Sequence, residues 1–122
     1  MKKIITYSTL LFLSLSVRAQ KQFTNAGNFT IHSGVAVSFY GDLVNNGTLV
    51  DSGLVITLAG SSAQKIGGSS VTAFKNLTLN NSAGSYLSAN EKISGALTIT
   101  AGTFSTTGYD FTLISDANGT AR

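Results

Sequence analysis

The stretch Phe74-Lys75-Asn76-Leu77-Thr78-Leu79-Asn80-Asn81-Ser82-Ala83-Gly84 is followed, after a short interval, by Gly95-Ala96-Leu97-Thr98-Ile99-Thr100-Ala101-Gly102-Thr103-Phe104. Each half carries an apolar-Thr-apolar triplet, Leu77-Thr78-Leu79 and Leu97-Thr98-Ile99, and the two triplets stand 20 residues apart. Alternation with a period of two marks a strand with one face toward a core, because successive side chains leave a strand on opposite sides. Upstream the theme recurs. Ile56-Thr57-Leu58 precedes Leu77-Thr78-Leu79 by 21 residues, and Val35 and Val37 precede Ile56 and Leu58 by another 21.

Two further apolar series share this period. Ile66 and Leu87 are 21 residues apart, and Phe29, Leu49, Val71 and Ile93 follow one another in steps of 20, 22 and 22, with Leu113 as the next member. Three series at one common period predict an all-β fold, a parallel β-helix or solenoid of about four coils with a 20–21-residue repeat. Val, Ile and Leu then form inward columns, while Thr57, Thr78 and Thr98 face outward. No stretch beyond the N-terminal segment shows the i, i+3, i+4, i+7 pattern of an amphipathic helix. One signal favours another architecture. Asn46-Gly47 between Leu43-Val44 and Leu49-Val50 is a hairpin signature, and a hairpin there would make part of the sheet antiparallel. An antiparallel β-sandwich is therefore the alternative.

The ends and the composition narrow the class. Lys2 and Lys3 precede the apolar run Ile4–Val17, and Val17-Arg18-Ala19 places small residues at −3 and −1 of a cut before Gln20. That arrangement predicts a signal peptide at 1–19, too short and too polar for a membrane span. A polar lead-in at 20–27 and a repeat domain at 28–122 complete the expected organisation. The formal charge of +3 comes from Lys2, Lys3 and Arg18, so the remaining chain is neutral with scattered charges. Such a surface lacks the basic patch that nucleic-acid or anionic-membrane binding requires. The chain has no cysteine and no proline. Thiolate metal sites, disulfides and a lipidated cysteine are excluded.

The segments Gly60-Ser-Ser-Ala-Gln-Lys-Ile-Gly-Gly68, Phe74–Gly84 and Ile93-Ser-Gly-Ala-Leu-Thr-Ile-Thr-Ala-Gly102 resemble the β-solenoid repeats of large secreted, adhesin-like surface proteins of bacteria with a type IX secretion system. The similarity covers roughly residues 27–122. It implies a stalk or spacer rather than a particular activity. Those proteins continue into further repeats and a β-sandwich sorting domain, so the resemblance also implies an N-terminal fragment of a longer chain.

Candidate chemistry is sparse. His32 is the single histidine and stands beside the Ser33-Gly34 turn signal. Neither a histidine metal cluster nor a triad with a second histidine can be built. Asp42 and Asp51 are nine residues apart, yet neither has an acidic counterpart 20–21 residues on, as a ladder of catalytic acids across coils requires. Gly67-Gly68-Ser69-Ser70 lacks the acid of a calcium nonapeptide and the Lys of a phosphate loop. Tyr40, Tyr86 and Tyr109 are candidates for stacking on sugar rings. The sequons at Asn28, Asn46, Asn76, Asn80 and Asn118 follow from an Asn/Thr-rich composition.

The expectation is a non-enzymatic, exported surface scaffold or adhesin-like module, located in the periplasm, at the cell surface or outside the cell. It has no cofactor, and its expected partner is a surface glycan or another surface protein. A carbohydrate-binding module using the tyrosines, or a fragment of a polysaccharide-active β-helix protein using Asp42, Asp51 and Glu91, is the alternative.

Overall fold

A computed structural model describes residues 21–114. The predicted signal peptide and the last eight residues, 115–122, lie outside the described residues. Among the described residues, fourteen short strands wind through three parallel sheets. The first coil comprises β1 (Phe23–Asn25), β2 (Asn28–Ile31) and β3 (Ala36–Phe39). The second comprises β4 (Leu43–Asn45), β5 (Thr48–Asp51) and β6 (Val55–Leu58), and the third β7 (Gln64–Gly67), β8 (Ala73–Phe74) and β9 (Leu77–Asn80). Next come β10 (Ser85–Leu87), β11 (Glu91–Ile93) and β12 (Leu97–Ala101), and then β13 (Phe104–Ser105) and β14 (Phe111–Leu113).

Each strand pairs with its counterparts one coil before and after, giving sheets β1-β4-β7-β10-β13, β2-β5-β8-β11-β14 and β3-β6-β9-β12. The chain is a parallel β-solenoid of about five turns. Leu43, Ile56, Leu58, Ile66, Phe74, Leu77 and Leu79 are buried on the axis, as the apolar columns require. The Asn46-Gly47 hairpin does not form. β4 and β5 lie in different sheets, and Asn46-Gly47 is the corner between them. The sandwich alternative falls with it.

The central columns match the predicted spacing. Leu77 pairs with Ile56 at a step of 21, Leu97 with Leu77 at 20, and Leu87 with Ile66 at 21. The outward row Ser38, Thr57, Thr78 and Thr98 is in register throughout. Two registers differ. Val37 pairs with Ile56 and Phe39 with Leu58, a step of 19, so Val35 falls outside the ladder and is 44% exposed. A shift of two residues keeps the same face inward, and alternation alone cannot detect it. In the third series Phe74, not Val71, pairs with Ile93, and Ile93 then pairs with Leu113. Val71 stands exposed beyond a corner lengthened by Gly68, Ser69 and Ser70, where the step from Val50 to Ala73 is 23. Gly68 makes that corner possible. Its φ of 125° is open to glycine, and a Cβ there would run into the Asn45 carbonyl.

The solenoid also starts earlier than the composition suggests. β1, inside the polar lead-in at 20–27, pairs in register with β4. Phe23 packs against Phe29 and Phe39, with ring centroids 5.0 and 4.8 Å apart, and closes the first coil's interior. At the opposite end Phe104 and Phe111 meet edge-on at 5.2 Å.

Candidate functional site

The polar side chains that could have formed a site point largely into the coil corners. Asn25 and Asn45 occupy equivalent places at the end of β1 and β4, and both are buried. Asn25 Nδ2 donates to Asn45 Oδ1 at 2.9 Å and to the Thr48 carbonyl at 2.9 Å. Asn45 Nδ2 donates in turn to Thr72 Oγ1 at 3.3 Å, and the Thr72 amide donates to Glu91 Oε2 at 2.5 Å. One polar column thus runs down the first corner from the first coil to the fourth. It satisfies backbone groups that a sharp bend would otherwise orphan: Asn25 and Asn45 also accept from the amides of Gly27 and Gly47.

The corner after the third sheet is built the same way. Gln64 Nε2 donates to the carbonyls of Phe39 and Gly41 at 3.0 and 2.6 Å, and its Oε1 accepts from Gly60 and from Asn81 Nδ2. Asn81 donates also to the Ser62 carbonyl and accepts from the Ala83 amide. At the remaining corner, Asp51 accepts from the Gly53 and Lys75 amides, and Asn76 joins the Leu54 carbonyl to the Ala96 amide. Amide and carboxylate side chains clamp successive coils at all three corners.

Glu91 is the unusual member. Fully buried at the start of β11, it pairs with Phe111 of the fifth coil. Its Oε1 has no hydrogen-bond partner. Burial pushes its carboxyl from the usual 4.5 up to about 7, while hydrogen bonds from the Thr72 main chain and side chain pull it partly back. Ser85 Oγ is the other buried side-chain oxygen without a partner among the described residues. Sequence reasoning passed over this whole inward polar set because it tracked only apolar residues. A signal was present: Asn25-Ala26-Gly27 and Asn45-Asn46-Gly47 repeat an Asn-x-Gly corner at the coil period.

The residues singled out from the sequence are dispersed. His32 is exposed in the turn whose Val35 amide donates to the His32 carbonyl, with Gly34 at a φ of 80°. Asp42 accepts from the Lys65 amide at 2.8 Å and lies 4.0 Å from the Lys65 ammonium. Asp42 and Asp51 lie at opposite ends of the β4–β5 segment, while Glu91 is buried two coils further on, at roughly 4.8 Å per coil. The three acids share no cleft. Tyr40 leaves the first coil after β3, Tyr86 lies on the outer face of β10, and Tyr109 precedes β14. All three are exposed, but they line no common groove. Two of the sequon asparagines are corner clamps, Asn46 toward Ser69 and Asn76 as described. Among the described residues no group of three His, Cys, Asp or Glu is placed to hold a metal ion.

Compared with family models, curated proteins and solved structures, the chain matches none.

Proposed function

We propose that the chain is a non-enzymatic, exported structural module that acts as a surface scaffold or adhesin-like spacer. The observation that carries this reading is the commitment of Asn25, Asn45, Gln64, Thr72 and Asn81 to bonds between coils. These residues stiffen a stack whose length grows by about 4.8 Å with each coil. Such an element serves as a stalk, and its resemblance to secreted repeat proteins supports export through the predicted signal peptide. A surface glycan or a second surface protein is the partner class that fits a stalk of this kind.

The test is protease shaving of intact cells producing the full chain, with mass spectrometry of the released peptides and of the mature N-terminus. The reading expects peptides from 21–114 in the shaved fraction and an N-terminus at Gln20. Retention of an uncut chain inside the cell overturns it, as does any turnover of polysaccharide by the purified protein.

A further inference from the structure

We propose that Glu91 is a pH-sensitive latch: while its carboxyl is protonated the fifth coil stays docked on the fourth, and once ionised that coil lifts to let water reach the carboxylate. The geometry rests on three observations.

The first is the environment of the carboxyl. Glu91 is 0% exposed, Oε2 accepts from the Thr72 amide, and Oε1 has no hydrogen-bond partner. An unpartnered charge inside a protein costs far more than an unpartnered neutral group. The second is the direction of the column above it. Asn25 Nδ2 donates to Asn45 Oδ1 and Asn45 Nδ2 to Thr72 Oγ1, while Glu91 Oε2 accepts from the Thr72 main-chain amide. The donor to Glu91 is a main-chain amide fixed in the corner, so turning the carboxyl to give Oε1 a partner breaks that bond. The third is position. Phe111 of β14 stands in register with Glu91 from the fifth coil, and among the described residues β14 has β11 as its single sheet neighbour. Leu113 and Ile114 are 45% and 38% exposed. The backbone bonds at stake include Glu91 N–H to the Asp110 carbonyl and Ile114 N–H to the Ile93 carbonyl.

The ionisable side chains on the elements packed around Glu91 do not supply a counter-charge inside. Lys92 on β11, Tyr86 on β10, Lys75 after β8 and Asp110 before β14 are all exposed. On the inner side, β8 contributes Phe74 with Thr72 just before it, and β10 contributes Ser85 and Leu87.

The sign follows from linkage. A carboxyl held above its unfolded value binds its proton more tightly in the docked state, so docking is strongest below 4.5 and weakens as pH rises through about 7. The full displacement corresponds to an opening equilibrium raised by about two orders of magnitude.

Amide hydrogen exchange on the full chain between pH 5 and pH 8, corrected for the intrinsic rate, reads this directly. Protection in 91–114 is expected to fall by about two orders of magnitude across that range. In Glu91→Gln, which keeps an acceptor for the Thr72 amide but cannot ionise, protection stays flat. Carbon-13 NMR titration of the wild-type Glu91 carboxyl keeps the proposal testable if that variant does not fold: protection must fall as pH rises from 4.5 toward the carboxyl's own midpoint and level off above it. A flat wild-type profile, an unchanged fall in Glu91→Gln, a fall that continues well above the carboxyl midpoint, or an equal fall in 23–67 each overturns the latch.

Discussion

Replacing Asn45 by alanine separates a solenoid corner from a hairpin turn. Asn45 is 0% exposed and makes three side-chain hydrogen bonds: from Asn25 Nδ2, from the Gly47 amide and to Thr72 Oγ1. In Asn45→Ala, Asn25 Nδ2 keeps the Thr48 carbonyl, but the Gly47 amide and the buried Thr72 hydroxyl lose a partner. Each orphaned buried group costs ~1–3 kcal/mol. With the small void added, the expected loss is about 3–4 kcal/mol. A domain of this size has a total stability of ~5–15 kcal/mol, so the loss is large. Urea unfolding followed by far-ultraviolet circular dichroism should show a midpoint lowered by about 2–4 M, for a slope near 1–1.5 kcal/mol/M. Asn46→Ala is the internal control. Asn46 is exposed and its Oδ1 accepts from the Ser69 amide and hydroxyl, so its loss should cost only about 0.5–1 kcal/mol. A hairpin turn reverses this order, because Asn46 would hold the left-handed turn position and Asn45 would be an ordinary strand residue. If Asn46→Ala is the more damaging change, or if both are nearly neutral, the corner account is wrong.

Other expected outcomes follow from the same structure. Leu58→Ala, at a fully buried position between Phe39 and Leu79, should cost ~2–5 kcal/mol in the same assay, while Val71→Ala, 51% exposed, should change stability by less than ~0.5 kcal/mol. Gly68→Ala should cost at least ~1–3 kcal/mol, because its positive φ and the nearby Asn45 carbonyl leave no room for a Cβ. Glu91→Gln should leave stability at pH 4.5 nearly unchanged and raise it at pH 8 by up to about 3 kcal/mol, read from paired urea curves.

The period was legible because the inward columns of the central coils are apolar and unbroken: Ile56, Leu77 and Leu97 in one sheet, and Ile66 and Leu87 in another. Where the reading slipped, the physics is local. Val35 and Val37 share a face, so alternation could not say which lies beside Ile56, and the corner before β3 is one residue longer than the corner before β6. Val71 looked like the core residue because Thr72 is polar, yet Thr72 is the one buried, held by Asn45 and Glu91. Asn46-Gly47 carried the chemistry of a tight turn, and the structure uses it as one, but between sheets rather than between paired strands. The buried carboxyl of Glu91 left no sequence trace. Its place in an inward column follows from the register with Phe111, which the alternation of β11 alone does not supply.

Backbone NMR of the isotope-labelled chain tests the parallel stack most directly. Cross-strand nuclear Overhauser contacts are expected between 56–58 and 77–79, and between 77–79 and 97–99, in parallel register. Contacts linking 43–45 to 48–51 as an antiparallel pair, or their absence between Ile56 and Leu77, would contradict the solenoid.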